Sequence, residues 1–375
     1  MNICLVSWDT ESKLLYELLK EKYEVSYVIE RDHNLWGKNE FGLTVISFSR
    51  AYDFFKKKKI DSFLIPCMRG INVKIGIYDR LIKNNIPSNN ILYAPLRIFK
   101  DSQITKKEKI DLICKFEDRT ELDYVALHIT DHCNLNCAYC SVFCGLISKP
   151  SFTDFDKTKN ALRLLKSYFE QIVVFRVLGG EPTLNPCWLD YCLMIKELFP
   201  LTDVEVVTNG TKILSMKDEQ FKIMHDKNIA FDISYYSILS DKIDDINEIL
   251  NNKKIIHYIT QENEFFSRLY DFNNTRDEKE NYESCKMKFM CLNMREYYLG
   301  ACHAAFGLER AKEYLINIDI SDNYKMDLRQ SNLSAKEIIS KLDKSTKLCR
   351  YCNQDLTRWH IISKGANKNI KEWSL

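Results

Sequence analysis

Short apolar runs alternate with segments of helical periodicity along the first part of the chain. Residues 3–7 read as a strand, and Leu14, Leu15, Leu18 and Leu19 then fall at helical spacing through Lys22. Further strand-like runs occupy 25–29, 62–66 and 91–94, with helix candidates at 49–58 and 75–84. This βαβ alternation predicts a small doubly wound α/β domain over residues 1–115. The charge-rich stretch 101–120, with Ile110, Leu112 and Ile113 at helical spacing, reads as a connecting helix with a mostly solvated surface.

The same rhythm resumes after residue 121. A strand at 124–130 is followed by a helix at 155–169 with Ala161, Leu162, Leu164, Leu165 and Tyr168 on one face. A β-branched run at 172–178, a helix at 188–198 and a strand at 204–207 come next. A helix around 221–225 and strands at 230–233 and 255–260 complete the series. Sequential strands of this kind predict a parallel sheet with right-handed crossovers. Polar residues gather where its strands end, at Gly179-Gly180-Glu181-Pro182, Thr208-Asn209-Gly210 and Ser234. That is the edge where α/β folds place their chemistry.

Composition narrows the picture little. The 375 residues leave room for two or three domains, read as 1–115, 121–275 and 276–375. Charge is balanced at +2, so nothing points to nucleic acid or another polyanion as partner. No apolar run approaches the ~18 residues of a membrane span. Residues 1–9 lack a basic region ahead of their apolar run, and Asp9 and Glu11 follow, so the start reads as a first strand and the expected location is cytoplasmic.

Cysteine changes the picture most. Fourteen cysteines without an export signal favour metal ligation over a disulfide framework. Cys4, Cys67, Cys114 and Cys192 lie in apolar segments and read as core residues. Cys133, Cys137 and Cys140 form C-x3-C-x2-C, and three soft thiolates so close select iron–sulfur or zinc. Zinc would need a fourth ligand, which His132 or Cys144 offers. A cubane cluster would instead keep one iron open to a small molecule. The glycine pair 179–180 lets a backbone approach a ligand closely, Pro182 fixes the turn, and Glu181 offers a carboxylate to an amine. Cys144 and Cys187 fall near the same edge, as free thiols or hydrogen-atom donors. Farther on come Cys285, Cys291, Cys302 and the pair Cys349-Arg350-Tyr351-Cys352, readable as a redox dithiol, a zinc site or ligands of a cluster.

The C-x3-C-x2-C spacing with Tyr139 before its last cysteine resembles the signature of radical S-adenosylmethionine (radical SAM) enzymes. Gly179-Gly180-Glu181-Pro182 is similar to the motif that receives the amino group of SAM in that family. The resemblance implies an α/β fold with a partial (β/α)6 TIM-like barrel over 121–275 and a [4Fe–4S] cluster on Cys133, Cys137 and Cys140. It implies a cofactor pocket that includes Asn209 and Ser234, cleavage of SAM to a 5′-deoxyadenosyl radical, and a flavodoxin- or ferredoxin-type electron donor. Residues 276–375 resemble the twitch domain, a shortened SPASM domain. That resemblance implies an auxiliary [4Fe–4S] cluster on Cys285, Cys302, Cys349 and Cys352, with Cys291 as competitor for the first place.

The N-terminal stretch, including Trp36-Gly37, looks like the Rossmann-like modules of sugar- and polysaccharide-processing enzymes. Its turn Ser7-Trp8-Asp9-Thr10-Glu11 lacks the usual glycines, however. Cys302-His303-Ala304-Ala305-Phe306, the Cys349–Cys352 pair and Glu372-Trp373 resemble radical SAM proteins of surface-polysaccharide biosynthesis. The implied activity is hydrogen abstraction from a sugar or nucleotide-sugar, ending in dehydrogenation or epimerisation. A peptide-modifying maturase and a non-enzymatic metal-binding module are the alternatives. The first of these would bring a winged-helix leader-binding domain, and 1–115 shows no such pattern.

Overall fold

The structure, a computed structural model, describes residues 1–7, 9–67, 71–135, 137–138, 140–260, 266–270, 276–285, 292–311, 324–330, 332–358 and 360–361. The expected roles of Tyr139 and Cys291, and the resemblance at Glu372-Trp373, lie outside the described residues. The chain divides into two compact units, Met1–Asp123 and Tyr124–Leu375.

The first unit is a seven-stranded sheet. Its strands are β1 (Asn2–Val6), β2 (Glu24–Ile29), β3 (Asn39–Glu40), β4 (Leu43–Ile46), β5 (Ser62–Pro66), β6 (Ile91–Ala94) and β7 (Cys114–Lys115), in the order β3-β4-β2-β1-β5-β6-β7. The inner strands run parallel, and the two-residue edges β3 and β7 are antiparallel. Helices α1 (Thr10–Leu19), α2 (Phe48–Lys56), α3 (Ile71–Lys83), α4 (Leu96–Lys100) and α5 (Lys106–Asp111) connect them. Order reverses between β1 and β5, the doubly wound arrangement. Residues 101–120 are more than the expected connecting helix. Helix α5 buries Ile110, and after it the chain adds β7 to the sheet and buries Phe116. At the turn after β1, the Asp9 carboxylate accepts the Ser12 N–H (2.9 Å) and fills the α1 N-terminus itself.

The second unit begins as β8 (Glu121–Thr130) leads into the cysteine loop, which holds the short β9 (Cys137–Ala138). Then come α6 (Phe155–Tyr168), β10 (Gln171–Gly179), α7 (Trp188–Leu198), β11 (Asp203–Thr208), α8 (Asp218–Asp226), β12 (Ile229–Ser234), α9 (Ile243–Asn252) and β13 (His257–Thr260). The remaining elements are β14 (Phe266–Tyr270), α10 (Glu278–Glu283), β15 (Leu292–Arg295), β16 (Tyr298–Gly300), α11 (His303–Arg310), β17 (Lys325–Asp327), α12 (Ala335–Leu342), β18 (Cys352–Arg358) and β19 (His360–Ile361).

Eight strands form one sheet, β13-β12-β11-β10-β8-β15-β16-β17. Strands β10 to β13 are parallel, as expected. The C-terminal region extends this sheet, because β15 pairs in parallel with β8, Asn293 opposite Ala126. Two small antiparallel pairs, β14–β18 and β9–β19, bring later chain back to the cysteine loop.

The faces of this sheet differ. On one, Phe175 meets Phe199 at the end of α7 and Phe231 meets Trp188 at its start, with Val204, Val206, Ile229 and Ile233 buried beside them. The other presents Tyr124, His128, Arg176, Glu205, Asn209, Asp232, Ser234 and Tyr258, since alternate residues of a strand point to opposite faces. A parallel sheet covered on both sides reads as near-continuous apolar strands. This one is apolar on one side and polar on the other, with His128, Glu205 and Asn209 of the polar side buried.

Candidate functional site

The cysteine loop is stitched to the glycine pair through the backbone. Gly180 N–H donates to Thr130 O (2.9 Å) and Glu181 N–H to His132 O (2.7 Å). A Cβ added at Gly179 would stand 2.2 Å from Thr130 O, and one at Gly180 2.2 Å from His132 O. The glycines therefore permit a close approach, and what they approach is the strand end that launches the cysteine loop. Gly179 also sits at φ +145°, which side chains disfavour.

Glu181 is fully buried. Its Oε1 accepts from Thr183 N (3.1 Å), Thr183 Oγ1 (2.5 Å) and Thr208 Oγ1 (2.7 Å), and its Oε2 from Asn209 N (2.7 Å). Burial raises its pKa, and these donors work against that rise. The carboxylate thus ties the end of β10 to the end of β11. Pro182, buried, starts the short turn that follows. Asn209 carries the tie onward. Its Nδ2 donates to Asn134 Oδ1 (2.8 Å) in the cysteine loop, its side chain bonds the Cys133 thiol, and Thr211 Oγ1 donates to its Oδ1 (2.7 Å). Ser234, half-buried, ends β12 beside Thr260.

The three thiols meet on one apolar spot. Cys133, Cys137 and Cys140 pack with Leu135 around Tyr236, whose buried phenol hydrogen-bonds Cys137. Burial pushes the Cys133 thiol up to about 12. Cys140 is drawn down to about 7, first by the Cys144 thiol and then by the backbone N–H groups of Cys144, Val142 and Phe143. Three amides and a thiol aimed at one sulfur form a nest that favours thiolate. Left-handed Phe143 (φ 59°) turns the chain back to build it. Among the described residues, no three His, Cys, Asp or Glu side chains are arranged to hold a single metal ion. Three thiolates on three different irons of a cubane stand farther apart than three on one ion, and a donor set of three convergent thiols fits such a cluster.

Asp131, first residue of the loop, is clamped from the C-terminal side. Arg295 donates to both its oxygens (3.0 and 3.0 Å), Arg310 Nε to Oδ2 (3.0 Å), and Ser151 Oγ adds a contact at 3.2 Å. Below it His128 is buried against Asn293 Oδ1 (2.8 Å), and burial pushes its imidazole down to about 4.

Cys187 stands apart from the thiols, at the start of α7, its N–H on Asn185 Oδ1 (2.9 Å). The C-terminal cysteines make a second neighbourhood. Desolvation, then Cys352 and Cys349, push the Cys302 thiol up to about 12, although the residue as a whole touches solvent. Cys349 in turn feels Cys352 and Cys285. Asn281 Nδ2 reaches the carbonyls of both Cys349 and Cys352. An apolar cluster of Phe143, Leu146, Ala304, Ala305, Leu308, Leu348 and Tyr351 lies against Cys140 and so links the two cysteine neighbourhoods.

Sequence reasoning passed over Tyr236, the Asp131–Arg295–Arg310 clamp, the His128–Asn293 pair and the charged residues of the sheet's polar face. The polar–apolar alternation in 124–130 and 229–234 is the signal that would have found the last two.

Residues 127–259 match the model of the Radical SAM superfamily. The chain is 28% identical over 281 residues to GTP 3',8-cyclase of Limosilactobacillus fermentum, covering 67% of this chain and 80% of that protein. It is 38% identical over 90 residues to GTP 3',8-cyclase of Lactiplantibacillus plantarum, 24% of this chain and only 26% of that one. Among solved structures it is similar to BtrN in complex with AdoMet and 2-DOIA, with a TM-score of 0.43, 16% identity, and 62% and 93% of the two chains covered. The superfamily match supports a radical SAM assignment for this region, and that superfamily implies a [4Fe–4S] cluster that binds SAM. The two relatives are named for GTP cyclisation, whereas the sequence resemblance pointed to sugars.

Proposed function

We propose that this protein, whose residues 127–259 match the radical SAM superfamily, is an enzyme that cleaves SAM reductively and turns the resulting radical on a small organic substrate. The observation that carries the reading is the convergence of Cys133, Cys137 and Cys140 on a loop stitched to Gly180 and Glu181. A cluster held there supplies an iron open to SAM and the electron that breaks its sulfonium bond. The chain's own residues do the rest. Glu181 and Asn209 fix the loop to two strand ends, the amide nest holds the Cys140 sulfur as thiolate, and Tyr236 covers the thiols from water. Gly179, Gly180, Pro182, Asn209 and Ser234 form the strand-end rim on which SAM would lie, with Tyr139 next to the last ligand.

The substrate we favour is a sugar or nucleotide-sugar, dehydrogenated or epimerised, with a flavodoxin- or ferredoxin-type donor. An auxiliary cluster on Cys285, Cys302, Cys349 and Cys352 would take the electron left by a dehydrogenation. A second reading, cyclisation of a purine nucleotide, is favoured by the named relatives. Anaerobic reconstitution with dithionite and SAM tests the proposal. The protein should release 5′-deoxyadenosine, and Cys140→Ala should not. Parent-rate release from Cys140→Ala would overturn the site. Iron content in keeping with one cluster rather than two would remove the auxiliary site.

A further inference from the structure

The clamp on Asp131 carries more charge than its carboxylate needs. Asp131 is buried, and its N–H is already tied to Ser151 O (2.9 Å). Arg295, on β15, meets both carboxylate oxygens and alone balances their charge. Arg310, in the last turn of α11, adds a second guanidinium, with Nε 3.0 Å and Nη2 2.8 Å from Oδ2. The same Nη2 donates to Lys149 O (3.2 Å) and Ser151 Oγ (3.1 Å), which fixes it in place. Two cations against one carboxylate leave a surplus of positive charge. As a device for stability such a trio has little to recommend it, because apolar residues of like volume often serve as well.

The surplus lies beside the cysteine loop. Asp131 stands two positions before Cys133, and Asp131, Arg295 and Arg310 line one small cavity together with Val142, Cys144 and Gly179. The Cys144 thiol, pushed up first by its hydrogen bond to Cys140 and then by burial, also feels Asp131. The helix that brings Arg310 is pressed onto the same loop. A Cβ added at Gly307 would stand 2.7 Å from Val142 O, and Val142 belongs to the amide nest around Cys140. Ala304, Ala305 and Leu308 of α11 pack with Phe143 against Cys140. Helix α11 therefore holds its guanidinium at a set place relative to the loop.

We infer that the Asp131–Arg295–Arg310 trio raises the reduction potential of the cluster held by the cysteine loop, its surplus cation making that cluster easier to reduce. This rests on the radical SAM reading and adds what governs its first electron transfer. Three thiolates outweigh the charge of an oxidised cubane core, so the loaded site is already negative. One electron from the flavodoxin- or ferredoxin-type donor adds a further negative charge, with no bond made or broken. A fixed cation nearby lowers the cost of that step, and net charge is among the features that set a cluster's potential. Arg310 is thus a positioning residue and not a ligand. It also lies where a cation suits the C-terminus of a helix. That role alone predicts no ordered shift in potential.

The test uses full-length protein reconstituted anaerobically, with iron counted and folding checked by circular dichroism. The electron paramagnetic resonance signal that changes on SAM addition is identified first. Its potential is then titrated with titanium(III) citrate in the absence of SAM. Arg310→Gln should lower the potential and Asp131→Asn should raise it. Arg310→Lys, which keeps the charge, should stay closer to the parent than Arg310→Gln. A merely structural clamp would not give shifts of opposite sign, since Arg310→Gln and Asp131→Asn weaken the same contact. If the buried Asp131→Asn fails to fold, the two variants at the more exposed position 310 decide alone. Equal potentials in Arg310→Gln and the parent, shifts of one sign in Arg310→Gln and Asp131→Asn, or loss of iron from Arg310→Gln would overturn the inference. A parent signal indifferent to SAM would instead strike the underlying radical SAM reading.

Discussion

The two large sheets share parallel strands joined by helices, yet they use their faces in opposite ways. In the first unit the central strands are apolar on both faces. Cys4, Leu5 and Val6 on β1 and Phe63, Leu64 and Ile65 on β5 are all buried, and charges that enter are sealed against one another. Lys74, fully buried, pairs with Asp123 and donates to Tyr93 Oη (3.0 Å), which donates to Glu121 (2.9 Å). In the second unit one face is apolar and the other carries charges that stay open, such as Asp232 and Arg176. The first sheet seals its polar groups against one another, and the second leaves part of an ion-paired cluster in contact with solvent.

Substitutions sharpen the contrast, taken here from the largest expected effect downward. Lys74→Ala leaves Asp123 buried without its cation and should cost about 3–5 kcal/mol in urea unfolding of the first unit. A loss below about 1 kcal/mol would mean that this charge is not structural.

His128 should make the second unit acid-sensitive. Its pKa is pushed down to about 4 in the fold, against 6.5 for the free side chain. The unfolded chain therefore binds more protons between these values, and stability present above pH 6.5 is lost as pH falls toward 4. The loss amounts to about 3 kcal/mol. His128→Gln should flatten that slope in denaturation midpoints measured across the range. An equally steep slope in the variant would assign the titration elsewhere.

Gly180→Ala forces a methyl group toward the His132 carbonyl and should cost about 1–3 kcal/mol. It should also lower the iron retained after reconstitution, whereas Gly76→Ala, with open space around it, should not. At the small end, Tyr258→Ala should stay within about 0.5 kcal/mol of the parent in stability, since the residue is 44% exposed. A bigger drop would make Tyr258 a packing residue.

Much of this was legible in the sequence, and the gaps have physical causes. The parallel strands and their helices announce themselves by local periodicity, and the cysteine spacing and glycine pair mark the candidate site. Strands β3 and β7 are too short to leave a period, and the charges around Cys114 hide the segment's return to the sheet. Glu181 reads as a group waiting for an amine, but its donors Thr208 and Asn209 lie 27 and 28 positions away and belong to another strand. The Arg176–Glu205–Asp232 cluster depends on register between β10, β11 and β12, which spacing alone does not fix.

The central claim is that the trio of thiols in the loop after β8 leaves an iron free to take SAM. Electron paramagnetic resonance of the reduced, reconstituted protein tests it most directly. Adding SAM should change the cluster signal in the parent, and Cys140→Ala should show no such SAM-dependent change. A parent spectrum indifferent to SAM at saturating concentration would mean that no coordination place is open, and the proposed chemistry would not stand.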